Sequence, residues 1–284
     1  MHEPRTYQAQ LAIAAARLKA TGHDRPAREA RHLMQHVCQM NPTELINRET
    51  DPMSEADSQA FFDLVERRAS GEPFEYLTGE AWFYGLAFHC TPDTLIPRID
   101  SEVVVDEALA RIPLGREAHI ADLGTGTGCL LITLLANHPR ATGVGVERSR
   151  RAAAIAESNL ERHGLGTRAA VQTGSWEDWQ GWAEADLIIS NPPYIASKVV
   201  GTLDESVRAY EPHEALDGGR DGLDAYRSIV SMGQKRMKPG AWLVFEIGFD
   251  QREAVMTLME TAGFAQVSSA QDTGQRDRVV CGRR

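Results

Sequence analysis

The chain has 284 residues, 42% of them hydrophobic, and a formal net charge of −10 at pH 7. Such a length points to two domains, or one with an appendage, and the apolar fraction suffices for a sizeable core. The acidic balance disfavours a surface built for long stretches of nucleic-acid phosphate, and four scattered cysteines (Cys38, Cys90, Cys129 and Cys281) without a CxxC pair argue against a disulfide framework or a zinc site.

In chain order, the opening MHEPRTYQ lacks the apolar stretch of a signal peptide, so a cytoplasmic protein is expected. Residues 5–70 predict three or four helices. TYQAQLAIAAARLKATG repeats apolar residues at helical spacing and closes at Gly22. DRPAREARHLMQHVCQM offers Asp24 as an N-cap and Pro26 in the first turn. SEADSQAFFDLVERRASG opens on Ser54 and ends at Gly71. A small helical domain over residues 1–72 is therefore expected. Residues 73–98 alternate aromatic and β-branched residues around Gly79 and Gly85, which predicts a linking β-hairpin whose aromatics either pack or face a substrate.

From residue 99 to 284 strands and helices alternate. Strands are predicted at AHIADLG (118–124), ATGVGVE (141–147), RAAVQTG (168–174), ADLIISN (185–191), AWLVFEIG (241–248) and RVVCGRR (278–284). Helices fall between them, and the most apolar run, Cys129 to Ala136, is far too short to cross a bilayer. This alternation predicts an α/β fold with a doubly wound, mainly parallel sheet, which binds ligands beyond the carboxyl ends of its strands.

Two motifs fall at such ends. ADLGTGTGCLLITLL sets Gly124, Gly126 and Gly128 between a strand and a helix, where the backbone can turn tightly and approach a ligand. The next strand ends in Glu147, a carboxylate placed to accept hydrogen bonds from both hydroxyls of an adenosine ribose. A dinucleotide and S-adenosylmethionine (SAM) both fit this pattern. The Gly-x-Gly-x-Gly spacing differs from the dinucleotide fingerprint and from a phosphate loop. Asp122, unwelcome beside a pyrophosphate but acceptable near a sulfonium or an amino group, favours SAM.

The fourth predicted strand ends in Asn191-Pro192-Pro193-Tyr194, across the same crevice. A planar NH2 group is a poor nucleophile because its lone pair is delocalised. Acceptors that hold both N–H bonds, the Asn191 side-chain oxygen and the Pro192 carbonyl, would aim that lone pair at a methyl donor. Two prolines fix φ and add no competing donors, and Tyr194 is expected to lie over the planar group.

Glycine loop, Glu147 and Asn191–Tyr194 together resemble a class I SAM-dependent methyltransferase of the amino-methylating kind. With GEPFEYLTG (71–79), TPDTLIPR (91–98), YEPHEALDGGRDGLDAYR (210–227) and RDRVV (276–280), the chain is similar to the protein-(glutamine-N5) methyltransferases of peptide chain release factors over nearly its whole length. The resemblance implies a Rossmann-like methyltransferase domain, SAM as cofactor, and methylation of the glutamine amide in the release factor's Gly-Gly-Gln loop. It implies that Gly124, Thr125, Gly126, Thr127 and Gly128 wrap the cofactor's amino-acid end, that Glu147 holds the ribose and that Trp176 flanks the adenine. Asn191 would touch both cofactor and glutamine, while Pro192, Pro193, Tyr194 and Arg98 complete the glutamine pocket; an ion pair is the other reading of Arg98. Ile99-Asp100-Ser101-Glu102 departs from the family's Pro-Glu-Thr-Glu, and EAWFYG (80–85) is closer to the sister group that methylates a large-subunit ribosomal protein. That ribosomal glutamine is the alternative substrate. A nucleic-acid amino-methyltransferase, flipping a base into the same pocket, is disfavoured by the acidic balance.

Overall fold

A computed structural model describes residues 5–284, which form two compact units. One comprises the described residues through Gly79 together with the short helix Glu205–Tyr210; the other comprises Glu80–Asp204 and Glu211–Arg284. None of the described helices is long and apolar enough to cross a membrane.

The first unit is helical: α1 (Tyr7–Ala20), α2 (Pro26–Cys38), α3 (Pro42–Asn47), α4 (Glu55–Ala69) and α5 (Phe74–Thr78). Thr6, Asn41 and Ser54 cap α1, α3 and α4 by accepting backbone N–H bonds, and Asn41 forms a full capping box with Glu44. The expected Asp24 cap is not made. Arg25 occupies the cap position without a side-chain bond, and Pro26, with its preset φ and no N–H to satisfy, starts α2 instead. Leu18, Leu33, Met34, Leu45, Phe61 and Val65 are fully buried between these helices. The Tyr210 hydroxyl, from the later helix, donates to the Ser70 carbonyl at 3.4 Å.

The second unit opens with a hairpin shorter than the 73–98 stretch suggested. Strands β1 (Glu80–Phe83) and β2 (Leu86–His89) pair antiparallel across Tyr84-Gly85, both at positive φ, as a tight two-residue turn requires. Residues 74–78 are helical instead, closed by Gly79 in the left-handed region. Of the hairpin aromatics, Phe83 and Phe88 are buried in the core whereas Trp82 is 66% exposed.

After α6 (Glu102–Leu109) the chain alternates through β3 (Ala118–Leu123), α7 (Cys129–Asn137), β4 (Ala141–Glu147), α8 (Arg150–Arg162), β5 (Ala169–Thr173) and β6 (Leu187–Ser190). Three short helices follow, α9 (Ser197–Val200), α10 (the Glu205–Tyr210 segment) and α11 (His213–Leu216). Then come α12 (Asp224–Arg236), β7 (Trp242–Glu246), α13 (Arg252–Thr261), β8 (Ala265–Gln271) and β9 (Asp277–Arg283). The sheet runs in the order β5-β4-β3-β6-β7-β9-β8; β5 through β7 are parallel, and β9 and β8 are antiparallel additions.

The central strands bury both faces, which is why they read as unbroken apolar runs. Leu187, Ile189 and Val244 face one core with Val104, Leu131 and Leu134; Ile188, Leu243 and Phe245 face the other with Tyr226, Ile229 and Val255. Successive strands fill the sheet outward from β3 to β5, then resume on the other side with β6. That reversal opens a crevice beyond the carboxyl ends of β3 and β6, where both sequence motifs fall.

Candidate active site

A cavity of about 830 Å³ lies at this switch point. Gly124–Thr127, Glu147, Trp176, Asn191, Pro193 and Arg98 contribute to its wall. A groove of about 750 Å³ between α12 and α13 contains none of them.

The glycine loop is built from its backbone. Gly124 and Thr125 both donate to the Val146 carbonyl, at 2.8 and 3.2 Å, tying the loop to the end of β4. Gly124 and Gly126 have φ values of 76° and 56°, which side chains with a Cβ rarely adopt. Gly126 donates to Glu147 Oε2 at 3.0 Å and Ser149 to Oε1 at 2.9 Å, so two backbone N–H groups fix the half-buried carboxylate. Gly128 is set apart from the wall. It caps α7 at φ 81°, and a Cβ there would press Ile132 Cδ1 of α7 at 3.0 Å and meet Ala156 of α8 at 3.5 Å, so its task is to let the two helices pack closely.

Buried Asn159 of α8, missed in the sequence, braces this loop. Its Nδ2 donates to the carbonyls of Thr127 and His89, at 2.9 and 3.0 Å, and its Oδ1 accepts from His89 N at 2.7 Å. One amide thus joins α8, the hairpin and the loop. Trp176, half-buried after β5, flanks the loop from the other side: a Cβ on Gly124 would sit 3.7 Å from its ring, and its Nε1 donates to Ser228 at 3.3 Å.

Beneath the loop, fully buried Asp122 accepts from the Thr125 hydroxyl at 2.7 Å, and its Oδ1 has no hydrogen-bond partner among the described residues. Burial raises its carboxyl from the usual 3.8 to about 7. Between those values the folded chain holds a proton that the unfolded chain has lost, so stability falls as pH rises through that window and stays low above it. Asp122→Asn is expected to stabilise the cofactor-free protein above neutrality, by on the order of 3–4 kcal/mol, and by less at mildly acid pH. Denaturant titrations at two pH values check this. An equal gain at both would mean that the carboxylate carries no burial penalty.

At the end of β6, Ser190 donates to the Leu123 carbonyl at 2.6 Å and locks the two strand ends together. Half-buried Asn191 follows, its carboxamide without a hydrogen-bond partner among the described residues. The turn after it is clamped by the 216–222 segment: Ile195 N donates to Leu216 O at 3.0 Å and Gly218 N to Ile195 O at 2.8 Å. Gln251 Nε2 donates to the carbonyls of both Tyr194 and Gly222, at 2.9 and 3.1 Å. These bracing residues were missed as well, although the glycine density of DGGRDG signals close backbone approach.

Of the four turn residues only Asn191 and Pro193 reach the cavity wall. Pro192 is buried. Tyr194, expected to cover a planar substrate group, instead packs against the α12–α13 core, where burial pushes its hydroxyl above the ordinary phenol range. The apolar body of the ring finds more contact there than over an open cavity.

Arg98 lines the cavity, and its guanidinium makes the ion pair that was its other reading, with the buried carboxylate of Glu211. LIPR and YEPHEAL therefore meet through one ion pair, and Glu211 also accepts from Ile96 N at 3.3 Å. The unusual Ile99–Glu102 segment is equally anchored. Asp100 pairs with Arg278 at 3.3 Å, Ser101 is buried, and Glu102 accepts from Tyr84 N at 2.7 Å.

Known proteins are similar to this chain. Residues 10–79 match the family described as PrmC N-terminal domain, and residues 101–207 match the methyltransferase small domain. A release factor glutamine methyltransferase of Caulobacter vibrioides is 39% identical over 269 residues, covering 94% of this chain and 92% of that protein. One from Geobacter sulfurreducens is 45% identical over 232 residues, covering 82% and 80%. Among solved structures, the hMettl16 catalytic domain superposes with a TM-score of 0.57 at 14% identity over 81% of this chain and 82% of that one, a likeness of fold alone. With relatives this similar along nearly its full length, the chain belongs to the release factor glutamine methyltransferase family.

Proposed function

We propose that the chain transfers a methyl group from SAM to the side-chain amide nitrogen, N5, of the glutamine in the Gly-Gly-Gln motif of peptide chain release factors. The observation that carries this reading is an Asn191 carboxamide without a partner among the described residues, sharing one cavity with a backbone-fixed Glu147 and an open glycine loop. The relatives' shared name supplies the substrate.

The residues present fit the cofactor. Glu147 keeps lone pairs for ribose hydroxyls beyond the two N–H bonds it accepts, Trp176 offers a flat apolar face, and Gly124 and Gly126 leave the loop open where a Cβ would intrude. Asp122, whose Oδ1 has no hydrogen-bond partner among the described residues, puts negative potential behind the loop when ionised, which suits a cationic ligand. Bound there, SAM supplies an electrophilic methyl carbon.

The protein's own contribution is orientation. A glutamine amide entering the cavity would donate one N–H to the Asn191 side-chain oxygen and the other to the Pro192 carbonyl, which lies behind the wall in this structure and would have to turn toward the substrate. With both N–H groups held, the nitrogen lone pair turns out of conjugation toward the donor. Such fixed geometry is worth roughly 7–11 kcal/mol of the barrier. The product nitrogen then loses its extra proton to water, so no strong base is needed.

Radiolabelled SAM incubated separately with a release factor, a large-subunit ribosomal protein and duplex DNA tests the assignment. Label is expected on the release factor glutamine. Label on the ribosomal protein or the DNA alone would replace the substrate. Glu147→Ala is expected to weaken SAM binding by about 1.5–3 kcal/mol through lost charge-assisted hydrogen bonds. Calorimetry with an unchanged dissociation constant would remove Glu147 from the ribose site.

A further inference from the structure

A buried acid that the reaction leaves unused stands beside the acceptor turn. Glu246 closes β7 and is 2% exposed. Ser190 of β6 pairs with Phe245 of β7, so Glu246 lies level with Asn191 on the neighbouring strand. The hydroxyls of Ser101 and Tyr194 approach its carboxyl, whose Oε2 has no hydrogen-bond partner among the described residues. Ser101 lines the cavity, and Tyr194 ends the turn that carries Asn191.

The charged and titratable neighbours come from every packed element. Arg278 of β9 and Asp100 lie on one side, but Arg278 is committed to Asp272 at 3.1 Å and to Asp100 at 3.3 Å. Tyr226 of α12 donates to the Glu246 backbone carbonyl at 2.8 Å, and Cys129 lies at the start of α7.

We infer that Glu246 is a positioning residue of the acceptor site, its ionised carboxylate accepting the Tyr194 and Ser101 hydroxyls and so holding the Asn191–Tyr194 turn in its productive register. This rests on Asn191 being the group that meets the substrate amide. An ionised carboxylate only accepts, which suits two hydroxyl donors. Once it is protonated the charge is gone, and both hydroxyl bonds weaken from charge-assisted to neutral ones. Burial holds this ionisation at about 7, so the change falls across neutrality. The ionised form above that value is the one that holds the turn, and kcat therefore rises with pH. Asp122 titrates in the same range from beneath the glycine loop, and an acid limb of its making would survive replacement of Glu246.

The test is kcat on a release factor from below to above neutrality, with the cofactor dissociation constant measured alongside. Glu246→Gln keeps the shape, lowers kcat by about 10- to 100-fold above neutrality, leaves cofactor affinity unchanged and abolishes the acid limb. Tyr194→Phe lowers kcat similarly and flattens the limb, and the double variant is no worse than either single one. A Gln variant with wild-type kcat, or with the acid limb intact, overturns the inference alone. Failure of the wild-type protein to methylate a release factor overturns it together with the proposed function. Should the Gln variant not fold, a Phe variant with wild-type kcat and acid limb overturns it as well.

Discussion

Replacing Asn191 with alanine is expected to lower turnover about 100- to 1,000-fold, the size seen when a fixed hydrogen-bonding group of a reacting centre is removed. Cofactor affinity is expected to change much less, because Glu147, Trp176 and the glycine loop stay as they are. The split between the two measurements carries the meaning. A group that orients the reacting nitrogen affects the transition state and lowers the rate at saturation, whereas a group that merely binds weakens affinity and leaves that rate unchanged. Single-turnover rates and calorimetry on the same preparation would separate the cases. Weakened cofactor affinity with an unchanged rate at saturation would make Asn191 a cofactor ligand only. The substitution leaves no buried donor stranded, since the carboxamide has no partner among the described residues, so a large fall in stability is not expected.

Gly222→Ala is expected to be the most damaging change outside the cavity wall. Its φ of +79° lies in the left-handed region, and a Cβ would fall 2.2 Å from the Tyr194 carbonyl oxygen and 2.8 Å from Gln251 Nε2. Neither neighbour can give way cheaply. The first is backbone, and the second holds the Tyr194 and Gly222 carbonyls together. The turn that carries Asn191 must move, and a displacement of about 1 Å at a positioned group costs on the order of 100-fold in rate. Gly164→Ala serves as the comparison. Gly164 has a φ of +68° but nothing within 4 Å of its hypothetical Cβ, so it isolates backbone strain of about 1–2 kcal/mol and leaves turnover untouched. If both variants melted alike and both remained active, the clamp on the turn would have no functional weight.

Much of this is legible in the sequence. The central strands announced themselves because burial on both faces demands continuous apolar residues, and the two motifs fall at their carboxyl ends as the alternation required. Strand β8 did not, for AQVSSAQ is a mostly exposed edge strand with register shifts against β9, and so has no apolar alternation to read. Helix α6 was hidden by Val103-Val104-Val105, a β-branched run that packing against α7 and the sheet holds helical. At the site, Asn191 and Glu147 were visible because a polar residue ending a buried strand is conspicuous. Where Tyr194 would point was not, since that depends on Glu246, Arg278 and the α12–α13 core, assembled from distant parts of the chain. Asn159 was invisible for a related reason. It reads as one more polar residue of an amphipathic helix, and only folding brings His89 and Thr127 to it.

The Glu205–Tyr210 helix has a practical consequence for anyone cutting the protein apart. Because this stretch is grouped with the helical unit while its sequence neighbours on both sides belong to the sheet, no single scission yields two complete pieces. A fragment ending at Gly79 would lack the residue whose hydroxyl reaches Ser70. Exchanging the helical unit for that of a relative would need a graft at two places along the chain, and a chimera spliced only at the first would carry a foreign helix against its new partner.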